Sequence, residues 1–169
     1  MSTAAIRPAF PVWPEHNRRL REAVGRLTEA QLAIVPGPGR WPIWATMGHL
    51  ACQRVFWLCD FAGEPGAEAT PYPNAGNDCP GDDDLEHVLS AAQLVAGIDA
   101  SFALIERALD TWTVDALTEV IRHPEWGADD RAHPRGFVIE RVFAHDLTHI
   151  AELNDVFAAN GLPLIDLCG

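Results

Sequence analysis

Apolar side chains recur along this chain at helical rather than alternating intervals. Over residues 14–35, Leu20, Val24, Leu27, Leu32 and Ile34 fall mostly on one face, and Pro14 suits a first helical turn. The Pro36-Gly37-Pro38-Gly39 run stops that helix. A second helix is predicted over 43–62, with Gly63 as its stop. Residues 63–84 read as a long polar loop ending in Asp82-Asp83-Asp84, a charge run that suits the N-terminus of a following helix. The third helix is predicted over 85–109. Residues 111–135 lack a period; a short strand at 117–121 and a turn at Gly127-Ala128-Asp129-Asp130 are their local signals. A fourth helix is predicted over 136–159, with Asn160-Gly161 as its C-cap.

Four helices of roughly 20 residues, each with one apolar stripe, predict an all-α four-helix bundle. At 169 residues, with no repeat and no break in composition, the chain is expected to be a single domain spanning 1–169. The loop at 63–84 changes the topology that is allowed. About 20 extended residues reach over 60 Å, so the loop can cross the whole bundle. The second and third helices are then free to run parallel.

Charge narrows the function. Twelve Lys+Arg stand against 24 Asp+Glu, a formal net charge of −12. A nucleic-acid partner demands a cationic surface, and so does an anionic membrane; neither is expected here. Prolines at 8, 11 and 14 interrupt the N-terminus, which predicts no secretory signal, and no segment approaches the apolar length of a membrane span. Cys52, Cys59, Cys79 and Cys168 form no Cys-x-x-Cys pair and are expected as reduced thiols in a cytoplasmic protein.

The strongest chemical signal is His145-Asp146-Leu147-Thr148-His149 on the fourth helix. Residues four apart lie about 40° apart around the axis and one turn along it, close enough for two imidazoles to share one metal ion. Val138, Val142, Leu153 and Val156 flank this stripe, so the histidines face the bundle interior or its rim. Glu152 continues the stripe and could serve as a fourth ligand, a general base or a group orienting a ligand, or simply be exposed. His49, with Gln53 and Phe56 following at helical spacing, is a third inward candidate from the second helix. Three histidines from two helices would leave coordination positions open, the arrangement of a catalytic rather than a closed metal site.

The segments W-A-T-M-G-H-L-A-C-Q-R-V-F-W-L (Trp44 to Leu58) and V-F-A-H-D-L-T-H-I-A-E-L (Val142 to Leu153) resemble the DinB-like (YfiT-like) superfamily of metalloenzymes. Its members carry His-Leu on helix 2 and His-Asp-x-x-His on helix 4, in this order. The resemblance implies a four-helix bundle with a long crossover between helices 2 and 3, often a homodimer. It implies a divalent ion, typically nickel or zinc, held by His49, His145 and His149. Several relatives use a low-molecular-weight thiol as co-substrate, the metal lowering the thiol pKa; many have no known activity. The expectation is a metal-dependent enzyme acting on a small molecule, such as a thiol S-transferase or a related hydrolase or isomerase, with Glu152 as the catalytic candidate. The alternative is a non-catalytic metal- or ligand-binding bundle.

Other residues carry weaker signals. Cys52, three residues after His49, could approach a metal, but a small core residue is the better reading, and Cys59 is read alike. His123 and His133 could line a pocket mouth, yet a solvated loop is favoured; His16 and His87 are expected exposed near helix starts. Trp44 and Trp57 are expected in the core or at a helix pair, while Trp41 and Trp126 could shape an apolar pocket.

Overall fold

Trp13, Asn17, Leu20 and Val24 recur every three or four residues, and all four are buried on helix α1 (Trp13–Gly25) of the computed structural model, which describes residues 3–123 and 132–167. The expected turn at 127–130, Trp126 and Cys168 lie outside the described residues. The helix predicted over 14–35 is two helices. Thr28 accepts a hydrogen bond from the Gln31 backbone while the Gln31 side chain accepts the Thr28 N–H, a capping box that starts the single-turn helix α2 (Glu29–Leu32). That reciprocal pair satisfies the donors that a continuous helix would have used, so α1 ends at Gly25.

Helix α3 (Ile43–Val55) buries eleven of its residues, including His49 and Arg54, and is therefore the central helix of the fold. It widens into a π-helical turn, Phe56–Phe61, before Gly63 turns the chain at φ +74°. Helix α4 (Ala91–Thr111) begins six residues later than its predicted start at Leu85. The Ser90/Gln93 capping box fixes that boundary. The aspartate run does not cap a helix: Asp84 accepts the Glu86 and His87 N–H groups at 2.8 and 3.1 Å, and Asp83 accepts the Cys79 N–H at 2.9 Å. These bonds fold a tight acidic turn ahead of α4. Helix α5 (Arg135–Ala159) ends at Asn160 and Gly161, the latter at φ +66°, as the C-cap signal predicts. In place of one strand at 117–121 there is a 3-10 turn, Ala116–Thr118, then β1 (Val120–Ile121) paired antiparallel with β2 (His133–Pro134). Among the described residues the protein is thus mostly helical, with five α-helices rather than four.

Side-chain pairs give the helix directions. Gly48 lies beside Leu89, Arg54 beside Ile98 and Ser101, and Gly66 beside Leu104, so α3 and α4 run parallel. Trp57 packs on Phe137 while His49 meets His149, so α3 and α5 run antiparallel. The segment between α3 and α4 crosses the molecule as its length allows, seated in two notches. A Cβ on Gly48 would sit 2.9 Å from Pro80, and one on Gly97 would sit 2.6 Å from the Tyr72 hydroxyl. Only glycine permits those approaches.

At the centre, helices α1, α3, α4 and α5 meet at a buried ion pair. Arg54 Nη2 and Nε donate to Asp146 at 2.8 and 3.0 Å. Trp13 Nε1 donates to the same carboxylate at 2.9 Å, and Arg54 Nη1 donates to Asn17 at 2.9 Å. Removing one partner strands a buried charge, which typically costs about 3–5 kcal/mol. Asp146→Ala is therefore expected to lower the free energy of unfolding in urea by about that amount, and Arg54→Met/Asp146→Leu to recover most of the loss.

Candidate metal centre

His145 and His149 stand one turn apart on α5 and face His49 on α3. His145 Nε2 lies 3.2 Å from His49 Nε2 and 3.1 Å from His149 Nε2. The three ring nitrogens all fall within 4.8 Å of one another. Asp146, the residue after His145, points a quarter turn away and is locked on Arg54, so the ion pair fixes the direction of the neighbouring histidine stripe.

The outer nitrogens have partners of their own. His149 Nδ1 lies 2.8 Å from Glu152 Oε2, and His49 Nδ1 lies 3.3 Å from Asp82 Oδ2 and 3.6 Å from Cys79 Sγ. A carboxylate accepts only, so each of these Nδ1 atoms is the donor nitrogen, and in the neutral ring Nε2 then presents its lone pair inward. Burial, then the proximity of His149 and His49, pushes His145 down to about 3 from an ordinary 6.5, and burial also lowers His149 despite Glu152. His145 is then neutral at neutral pH and has at most one proton to share between two facing lone pairs.

These observations fit a cation. At least one of the close nitrogen pairs has no hydrogen between its members, an unfavourable contact that a shared metal ion removes. Nitrogens each about 2.1 Å from one cation lie about 3.0–3.4 Å apart at octahedral or tetrahedral angles. Both separations, 3.2 and 3.1 Å, match. Carboxylates on the far nitrogens are the arrangement that orients and strengthens imidazole ligands.

The neighbourhood is built by the loop after α2 and by the crossover. The Trp41 ring packs on His49 with centroids 4.8 Å apart and lies against Gly81, where a Cβ would come within 2.9 Å of it. A cavity of about 350 Å³ opens beside His149 and Glu152, walled by Arg40, Trp41, Ile43 and Leu153 among others. Arg40 Nη2 lies 3.5 Å from Glu152 Oε1. Glu152 is thus at the site, partly exposed, holding His149 with one oxygen and facing the cavity wall with the other.

Other expectations sort themselves by packing. Cys52 is buried against the Ala75 carbonyl and contributes no donor to the histidine group, and Cys59 is likewise a core residue. His123 and His133 are half-buried on aromatic rings rather than solvated: His133 stacks on Phe137 at 4.0 Å, and His123 on Phe56 at 6.1 Å. His16 is half-buried against the Leu167 carbonyl at 3.2 Å, whereas His87 is exposed in the acidic turn. Trp44 is buried, as expected of a core position, and Trp41 shapes the pocket. Sequence reasoning missed Asp82, Cys79 and Arg40, which come from irregular segments with no periodic signal. A hydrogen bond with Cys52 pulls the Cys79 thiol down to about 6, with His49 contributing.

A sequence model of the DinB superfamily matches residues 13–153. Among solved structures, the chain is similar to a DinB-like protein from Bacillus cereus ATCC 10987, with a TM-score of 0.68, 18% identity and 97% of each chain covered. At that identity the likeness is one of fold. No curated protein matches the sequence.

His145 titrates far lower in the folded chain than its ordinary 6.5, so between about 3 and 6.5 the unfolded chain binds the extra proton. The metal-free protein is expected to lose stability as pH falls through that window. Urea titrations of the wild type and of the non-titrating His145→Gln, both in chelator, check the sign: the variant should show the shallower decline.

Proposed function

Because this chain belongs to the DinB superfamily, we propose that it is a metal-dependent enzyme whose His49, His145 and His149 hold one divalent cation, nickel or zinc. The reaction we assign is transfer to or from a low-molecular-weight thiol, or a related hydrolysis or isomerisation of a small molecule. The observation that carries this reading is the convergence of three inward Nε2 atoms with 3.1 and 3.2 Å separations. When bound, such a cation acts as a Lewis acid and lowers the pKa of a thiol or water at an open position.

The protein's own groups supply the rest. Glu152 Oε2 orients His149, and Oε1 borders the cavity, where Glu152 is placed to take a proton from a bound thiol or water. Trp41 and the α3 and α5 side chains beside it cover one side of the site and limit the entry of water there. Single-domain chains pairing as a homodimer in the cytoplasm belong to the same proposal, supported by the family resemblance; light scattering checks the dimer. Among the described residues no helix is long and apolar enough to cross a membrane.

Elemental analysis of protein purified without a histidine tag is expected to find close to one nickel or zinc per chain. Added metal should raise the melting temperature of the stripped wild type and leave His145→Ala unmoved, with helical circular dichroism intact in both. Glu152→Gln is expected to weaken metal affinity by about 10–100-fold, the usual effect of disturbing a group that orients a ligand. Thiol consumption in the presence of a small electrophile, lost in His145→Ala, separates the enzyme from a bundle that only binds metal.

A further inference from the structure

The cavity beside the histidines has an uneven wall. Trp41, Ile43, Leu153 and Val156 make it apolar, while Arg40 and Glu152 are the charged side chains that line it. Arg40 is thus the cationic side chain of that wall, 3.5 Å from the Glu152 carboxylate. It offers an exposed guanidinium at a cavity mouth in a chain whose formal charge is −12. An anion repelled by most of this surface meets a cationic side chain here.

Arg40 is placed to meet it. Its backbone N–H donates to the Gly37 carbonyl at 3.1 Å, the preceding Gly39 sits at φ +69°, and Trp41 is wedged on Gly81 and His49. The loop is thereby held at both ends of the arginine, while the side chain itself is 59% exposed and touches Glu152 only at 3.5 Å. Such an exposed pair contributes little and exchanges readily for a better partner. A guanidinium takes a carboxylate through two parallel N–H bonds, a geometry that Glu152 does not offer it here.

We propose that this cavity binds a small organic acid, its carboxylate paired with Arg40 and its apolar body laid along Trp41, Ile43, Leu153 and Val156. This names the substrate class of the site proposed above and rests on that reading. Volume sets the size: about 350 Å³ takes a molecule of about ten non-hydrogen atoms with room for a second small reactant. Capture of Arg40 by the acid frees Glu152 Oε1, while Oε2 stays on His149. Substrate binding and release of the proposed base are one event.

Calorimetric titration of zinc-loaded protein with 3-phenylpropionate and its neutral amide tests the assignment. The acid is expected to bind at millimolar or lower concentration and more tightly than the amide. Arg40→Gln should weaken the acid by about tenfold or more and leave the amide unchanged, with Arg40→Lys falling between. Equal binding of acid and amide by the wild type, undiminished acid binding in Arg40→Gln, or no binding of the acid overturns the proposal. Zinc content of the same samples keeps the two readings apart. Absent zinc overturns the metal centre. Acid binding lost in His145→Ala but kept in Arg40→Gln places the acid on the metal alone and overturns the role of Arg40.

Discussion

A buried arginine–aspartate pair governs how the helices of this protein are rotated against one another. Apolar contacts are non-directional, and helices with wide apolar faces can pack in several rotations at similar free energy. Arg54 and Asp146 remove that freedom, because a bidentate pair taken out of water tolerates little change in distance or angle. Trp13 and Asn17 extend the same bonds to α1, and the Ile98 carbonyl and Ser101 extend them to α4. The polar core thus reads the position of four helices at one point.

The histidine group inherits its geometry from that point. His145 precedes Asp146 in the chain, and His49 stands five residues before Arg54, so each side of the ion pair has a histidine bound to it by helix geometry alone. Asp82 and Glu152 then settle the rings from outside, one from the crossover and one from α5 itself. The acidic groups stay on the outer nitrogens, which leaves the three inner nitrogens facing one another.

Much of this was legible from the residues, where the signal is periodic. Helical spacing located the long helices, and the His145/His149 pair with His49 marked the candidate site, because side chains one turn apart must share a face whatever the tertiary structure. The failures have a common cause. Residues 14–35 were read as one helix and 85–90 as part of another, since apolar spacing continued through the Thr28/Gln31 and Ser90/Gln93 capping boxes. The caps won because they satisfy backbone donors locally. Asp82, Cys79, Arg40 and the pairing of Arg54 with Asp146 depend on which segments meet in space. Arg54 carries no periodic signal either, since an arginine in an apolar helix reveals its carboxylate only after folding.

The parallel run of α3 and α4 has a kinetic consequence. Neighbouring helices that are antiparallel can dock as soon as a short turn forms, whereas α3 and α4 must first close the long crossover between them, at an entropic cost. The bonds that align the bundle are more distant still: Asp146 follows Arg54 by 92 residues and Trp13 by 133. During synthesis Arg54 is exposed to solvent or to wrong partners until α5 has been made, and two of the three histidines arrive on that same helix. The histidine group is therefore completed late in the life of the nascent chain, and it waits on the formation of the core.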